Sequence, residues 1–147
     1  MKVYIGSDHN GFHLRNSLVS YLKRAGYDVV SDGDDRQDPA DDFPVFAKKV
    51  AADVLSSEDK HARGILLCGS GQGMCMAANR HKGIRAALGY DRESVRSARN
   101  DDDCNVLCLP ARHLQKDTAN VLVETFLNTP FAGESRFSRR IAQMDDV

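Results

Sequence analysis

Apolar and polar positions follow two rhythms along this chain. Short, nearly continuous apolar runs recur at VYIGS (3–7), DVVSD (28–32), GILLC (64–68), IRAALGY (84–90) and NVLCLP (105–110). Runs of that length predict strands, and the unbroken apolar character of GILLC predicts burial on both faces. Between them, apolar residues fall at helical spacing. Residues 11–26 carry Phe12, Leu14, Leu18, Val19 and Leu22, and Gly26 supplies a stop. Pro44 suits the first turn of a helix through Leu55. Residues 71–80 read as helical, and Asp91 is a candidate N-cap for a helix through about Asn100. Residues 116–128 form an amphipathic helix through Val121, Leu122, Thr125 and Phe126. After the Pro130–Gly133 break a short basic helix closes the chain, while GDDRQDPADD (33–42) predicts a polar, acidic surface loop.

Five strands alternating with helices imply an α/β fold, a five-stranded parallel sheet covered on both faces. The 147 residues suit one domain, with no internal repeat or linker. In such sheets ligands bind at the carboxyl ends of the strands, near a switch in strand order. Unusual polar residues are expected there: Ser7, Asp8 and His9 after the first strand, Cys68 to Gly73 after the third, and Asp101 to Cys104 just before the fifth.

Charge narrows the partners. Lys and Arg number 20 against 21 Asp and Glu, a net charge of −1, so no global field favours nucleic acid or an anionic membrane. No apolar run is long enough to span a bilayer, and the first residues lack a signal-peptide core, so a cytoplasmic setting is the expectation. The cysteines, Cys68, Cys75, Cys104 and Cys108, include no C-x-x-C pair; reduced, partly buried thiols are expected rather than disulfides or a zinc site.

The chemistry concentrates in LLCGSGQGMCMAANR, residues 66–80. Gly69, Gly71 and Gly73 alternate, but Met74 stands where a dinucleotide fingerprint needs glycine and where a cysteine phosphatase needs arginine. No Gly-Lys-Ser/Thr follows, which excludes a P-loop. Glycines let successive amides converge, and the following helix adds its positive end, so the loop can hold an oxyanion or a phosphate. Cys68 beside such a hole is placed to be a thiolate base for proton abstraction next to a carbonyl. A buried packing cysteine on a tight turn is the plainer alternative, and the stretch alone does not choose. Asp8 can accept from hydroxyls or simply cap a helix, and His9 can donate a proton or bind phosphate. Arg112, Arg136, Arg139 and Arg140 match phosphate oxygens as a group, though any one alone reads as a solvated charge.

Together, SDHNGFHLR, DFP, LLCGSGQGMCMAANR, GIRAAL, NVLCLPAR and GESRFSRR resemble the ribose-5-phosphate isomerase B / galactose-6-phosphate isomerase (RpiB/LacAB) family, from Val3 to about Ile141. The resemblance implies a Rossmann-like three-layer α/β/α sandwich and a homodimer, in some members a tetramer, with shared active sites. It implies no metal and no other cofactor. Carried over, Cys68 is the general base, since Met74 stands where other members use a glutamate. Ser70 moves protons between oxygens, and Gly69, Gly71, Gln72 and Gly73 supply amides to an enediolate. Asp8 contacts sugar hydroxyls, and His9, Arg112, Arg136 and Arg140 bind phosphate, with a C-terminal helix reaching the partner. The family's ring-opening histidine and the asparagine after it are replaced by Asp101 and Asp102. An exposed aspartate is a poor proton donor at neutral pH. Isomerisation of D-ribose 5-phosphate to D-ribulose 5-phosphate, the family's commonest reaction, is the first expectation, with Asp8 or Asp101 opening the ring in place of the histidine. Tetrose 4-phosphates, hexose 6-phosphates and a non-catalytic sugar-phosphate-binding module are the alternatives.

Overall fold

The computed structural model describes residues 1–146. Its strands are β1 (Lys2–Ser7), β2 (Asp28–Ser31), β3 (Arg63–Cys68), β4 (Ala86–Leu88) and β5 (Val106–Pro110). Its helices are α1 (Phe12–Arg24), α2 (Phe43–Ser56), α3 (Gln72–Ala78), α4 (Arg92–Asp102), α5 (Lys116–Asn128) and α6 (Ser135–Met144). All strand pairings are parallel, in the order β2-β1-β3-β5-β4.

The two-residue period of a strand sorts the core into two layers. Val3, Ile5, Ile65, Leu67, Leu107 and Leu109 face one side and pack with Leu18 and Leu22 of α1, Val95 of α4, and Leu122 and Phe126 of α5. Tyr4, Leu66, Cys68, Val106 and Cys108 face the other and meet Phe46, Ala47 and Val50 of α2, and Met74 and Ala78 of α3. The expected α/β/α sandwich is thus observed. Because α1 leaves β1 toward one face and α3 leaves β3 toward the other, a crevice opens between the carboxyl ends of these adjacent strands.

Most expected elements occur close to their sequence bounds. Gly26 ends α1 with φ of 90°, the left-handed conformation that suits a helix stop. Asp91 caps α4 in a reciprocal box with Ser94, its carboxylate accepting from the Ser94 amide at 2.7 Å. Two boundaries differ. β4 is shorter than 84–90, because Ile84 and Arg85 donate their amides to the His81 carbonyl and the Asn105 side chain rather than to a ladder. Helix α4 runs two residues past Asn100 and takes Asp101 and Asp102 into its last turn. Asp103 then adopts φ of 46°, its carboxylate bound by Arg99 at 2.8 Å and Arg85 at 3.0 Å. No helix among the described residues is long and apolar enough to cross a membrane.

Phe126 has no exposed surface, so Phe126→Ala is expected to cost about 3–5 kcal/mol. Asp91→Ala, which removes one cap bond, is expected to cost about 1 kcal/mol. Urea denaturation of both variants measures the difference.

Candidate active site

Strand β3 delivers Cys68 to the sheet's carboxyl edge as a buried side chain. The chain then reverses through Gly69, Ser70 and Gly71, whose φ of 75° is the left-handed conformation that glycine alone adopts freely. That turn brings the Gly71 amide back to donate to Cys68 Sγ at 3.1 Å. The sulfur therefore has a backbone dipole aimed at it. The Gln72 amide donates to Ser70 Oγ at 3.3 Å, which fixes the exposed hydroxyl at the start of α3. Among the described residues, the amides of Ser70 and Gly73 carry no hydrogen bond within the chain and remain donors for an oxyanion. Gly71 was expected to be such a donor; its N–H instead serves the sulfur.

Across the crevice, β1 ends in Asp8, which caps a single 3-10 turn, His9–Gly11. Its Oδ1 accepts from the amides of Asn10 at 2.9 Å and Gly11 at 3.2 Å. Capping is thus part of what Asp8 does, and its second oxygen remains for a ligand. The turn sits against β3: the Asp8 amide donates to the Leu67 carbonyl, and a Cβ on Gly11 would lie 2.6 Å from that of Leu67.

Arg112 follows β5 and joins both loops. Its amide donates to the Gly69 carbonyl at 3.0 Å, its guanidinium covers Gly69, and Nη2 donates to Asn10 Oδ1 at 3.0 Å. One arginine thereby spans the carboxyl ends of β1, β3 and β5, beside Cys68 and the 3-10 turn that carries His9.

Sequence reasoning missed two contributors. Asp41, in the supposed surface loop, places Oδ1 2.7 Å from His9 Nδ1 and also accepts the His9 amide at 3.1 Å. This bond raises the His9 imidazole above its ordinary value; partial desolvation opposes it, the Asp8 and Asp41 charges add to it, and Arg112 counters. Phe43 opens α2 with its ring against Gly73, where a Cβ would come within 2.7 Å. The DFP stretch signalled a helix start, but no local pattern in the sequence says what a loop's side chains face. Asp8, His9 and Asp41 are the described residues whose donor atoms cluster closely enough to suggest a metal, but His9 Nδ1 and Asp41 Oδ1 already bond one another.

The other cysteines differ among themselves in burial. Burial pushes the Cys104 thiol up to about 11 and Cys108 well above its usual range, while a hydrogen bond from Cys108 lowers the half-buried Cys75. All four cysteines are free.

Not every expected residue joins this cluster. Asp101 to Cys104 were placed at the strands' carboxyl ends, but they lie at the amino end of β5, because α4 runs antiparallel to the sheet. Asp101 accepts from the Asn100 side chain at 2.7 Å, and Arg99 pairs with Asp103. Helix α6 packs on α4 near the same end, tethered where the Ala132 amide donates to the Asn100 carbonyl. Arg136 pairs with Glu134 at 2.8 Å, and among the described residues no bond links Arg136, Arg139 or Arg140 to the Cys68 or Asp8 loops. A groove lined by His81, Arg85, Asp102 and Met144 lies between α3, α4 and α6 at that far end. One chain thus carries two separated half-sets of the expected residues.

Gly71→Ala would add left-handed strain of about 1–2 kcal/mol and set a Cβ 2.5 Å from Leu88 Cδ1. Gly69→Ala meets only the movable Arg112 side chain, at 3.0 Å. Gly71→Ala is therefore expected to be the more destabilising by at least about 1 kcal/mol in urea denaturation.

Residues 3–144 match the family model described as Ribose/Galactose Isomerase. A probable ribose-5-phosphate isomerase B of Mycoplasma pneumoniae is 38% identical over 142 residues, 97% of this chain and 91% of that protein. Its counterpart in Mycoplasma genitalium is 42% identical over 140 residues, 95% of this chain and 90% of that protein. The crystal structure of a ribose 5-phosphate isomerase from Thermotoga maritima superposes with a TM-score of 0.94 at 43% identity, covering 99% of this chain and 98% of that one. A ribose-5-phosphate isomerase B structure from Mycoplasma genitalium with bound ribulose-5-phosphate gives 0.93 at 39% identity, covering 99% of this chain and 94% of that one. With a match over nearly its whole length, on the fold and loops that the sequence led us to expect, this chain belongs to the ribose/galactose isomerase family.

Proposed function

We propose that this chain interconverts D-ribose 5-phosphate and D-ribulose 5-phosphate through an enediolate. The observation that carries the reading is the amide-bonded Cys68 sulfur beside unpaired loop amides, facing Asp8 and His9 across the crevice. The family and the names of its relatives supply the substrate class.

Each residue then has a step. Cys68 thiolate removes the proton from C2 of the open-chain aldose and returns it to C1. The negative oxygen that develops lies against the Ser70 and Gly73 amides and the positive end of α3. The Ser70 hydroxyl carries a proton between the O1 and O2 oxygens. Asp8 holds sugar hydroxyls through its free oxygen. His9 and Arg112 take the phosphate, and none of these steps calls on a cofactor.

The half-set at the other end of the sheet completes the site from a second copy. In this reading α6 of one protomer brings Arg136 and Arg140 to the phosphate of the other, and the end of α4 brings Asp101 and Asp102 to the sugar. The single 147-residue domain then works as a homodimer. With aspartate in place of a ring-opening histidine, a tetrose phosphate, which cannot close a furanose, is the second reading.

Two experiments check this. Cys68→Ala is expected to lose turnover of ribose 5-phosphate and exchange of the sugar's carbon-bound proton with solvent, while retaining phosphate binding; equal loss of binding would make Cys68 a packing residue. A parallel assay with erythrose 4-phosphate separates the two substrate readings. Mixing inactive Cys68→Ala and Arg140→Ala chains is expected to regain about a quarter of wild-type activity. Half the randomly paired dimers are mixed, and each mixed dimer has one intact site. A site confined to one chain would regain nothing.

A further inference from the structure

The acidic loop at residues 32–42 is held against the site by specific bonds. Arg15, a buried residue of α1, donates from Nη2 to the Asp34 carbonyl at 2.6 Å and fills the space over Gly33, where a Cβ would lie 1.3 Å from Nη1. Gln37 Nε2 donates to the His9 carbonyl at 2.8 Å. Asp41 then takes both the amide and the ring Nδ1 of His9 on one carboxylate oxygen. The Asp41 side chain is 8% exposed and the His9 side chain 28%. Carbonyl, amide and ring of a single histidine are all bound by one loop.

That arrangement fixes the state of the ring as well as its place. A carboxylate accepts only, so Nδ1 carries a proton and Nε2 is the remaining ring atom for a ligand. In a neutral ring Nε2 would be an acceptor and would repel a phosphoryl oxygen; in the cation it is a donor. Within the chain, the charged groups facing His9 are Asp41 from the loop, Asp8 from the strand end and Arg112 from beyond β5; in the proposed dimer, Arg136 and Arg140 of the second copy add to the opposition from Arg112. The two carboxylates favour the cation and the guanidinium opposes it. Asp41 has the direct bond, so it decides the balance.

We propose that Asp41 is a positioning residue that keeps His9 an imidazolium and leaves its Nε2–H as a donor for the phosphoryl oxygen of the substrate. Capture of phosphate monoesters then persists on the alkaline side of the ordinary histidine range. The inference rests on His9 being a phosphate ligand, and the test separates the two claims.

The first measurement is the NMR titration of the His9 ring in the wild-type protein without ligand. A midpoint above the ordinary value of about 6.5 is expected, and a midpoint at or below it overturns the proposal. In Asp41→Asn the midpoint is expected to fall, and Asp41→Glu should restore part of the rise. An unchanged titration in Asp41→Asn overturns the role of Asp41 without touching that of His9. The second measurement is affinity for inorganic phosphate at pH 6 and pH 8. Above both midpoints, each unit by which the His9 midpoint falls is expected to weaken binding about tenfold, with smaller loss at pH 6. For ribose 5-phosphate the loss should fall more heavily on KM than on kcat. A lowered His9 midpoint with phosphate affinity unchanged at both pH values overturns the phosphate reading, and the proposal with it. Asp41→Asn must unfold at a temperature close to wild type for the affinities to be compared; the wild-type titration does not depend on it.

Discussion

The constraint that governs this molecule is that a parallel sheet has two apolar faces and both must be covered. Alternation along β1, β3 and β5 sends every second side chain to each layer, so neither face can be left to solvent. Helices α1 and α3 follow neighbouring strands but must serve opposite layers. Their diverging starts open the crevice, and the polar ends of β1 and β3 become its walls. The site is a by-product of how the hydrophobic surface is shared out.

Within the crevice, backbone conformation does what side-chain chemistry alone could not. The left-handed Gly71 folds its own amide onto Cys68, and the 3-10 turn after β1 commits one Asp8 oxygen to capping and leaves the other. Arg112 then binds these separate turns into one surface. The family's phosphate sugars suit such a place: an anion for the arginine at one end, and a carbonyl for the loop amides at the other.

The parallel sheet, its helices and the Cys68 loop were legible because their signals are local. Hydrophobic period, a glycine triplet and capping residues are read within a few positions. Asp41 was not legible, because an acidic residue in an acidic stretch looks the same whether it faces water or a histidine 32 residues away. Asp101 was misplaced although the sequence held the answer. Residues just before a strand stand at its amino end, and α4 delivers Asp101 there. The arginines of α6 read as a group in sequence and stay a group in space, but no pattern in one chain's sequence records what lies opposite them.

The contact of Phe43 with Gly73 ties two parts of the chain that are distant in sequence. A side chain at position 73 has no room while the ring stands there, and a smaller residue at position 43 would uncover the start of α3. The two positions are therefore coupled in space: whatever stands at position 73 is felt first by the ring that opens α2, so the shape of the glycine loop is set partly from outside the loop.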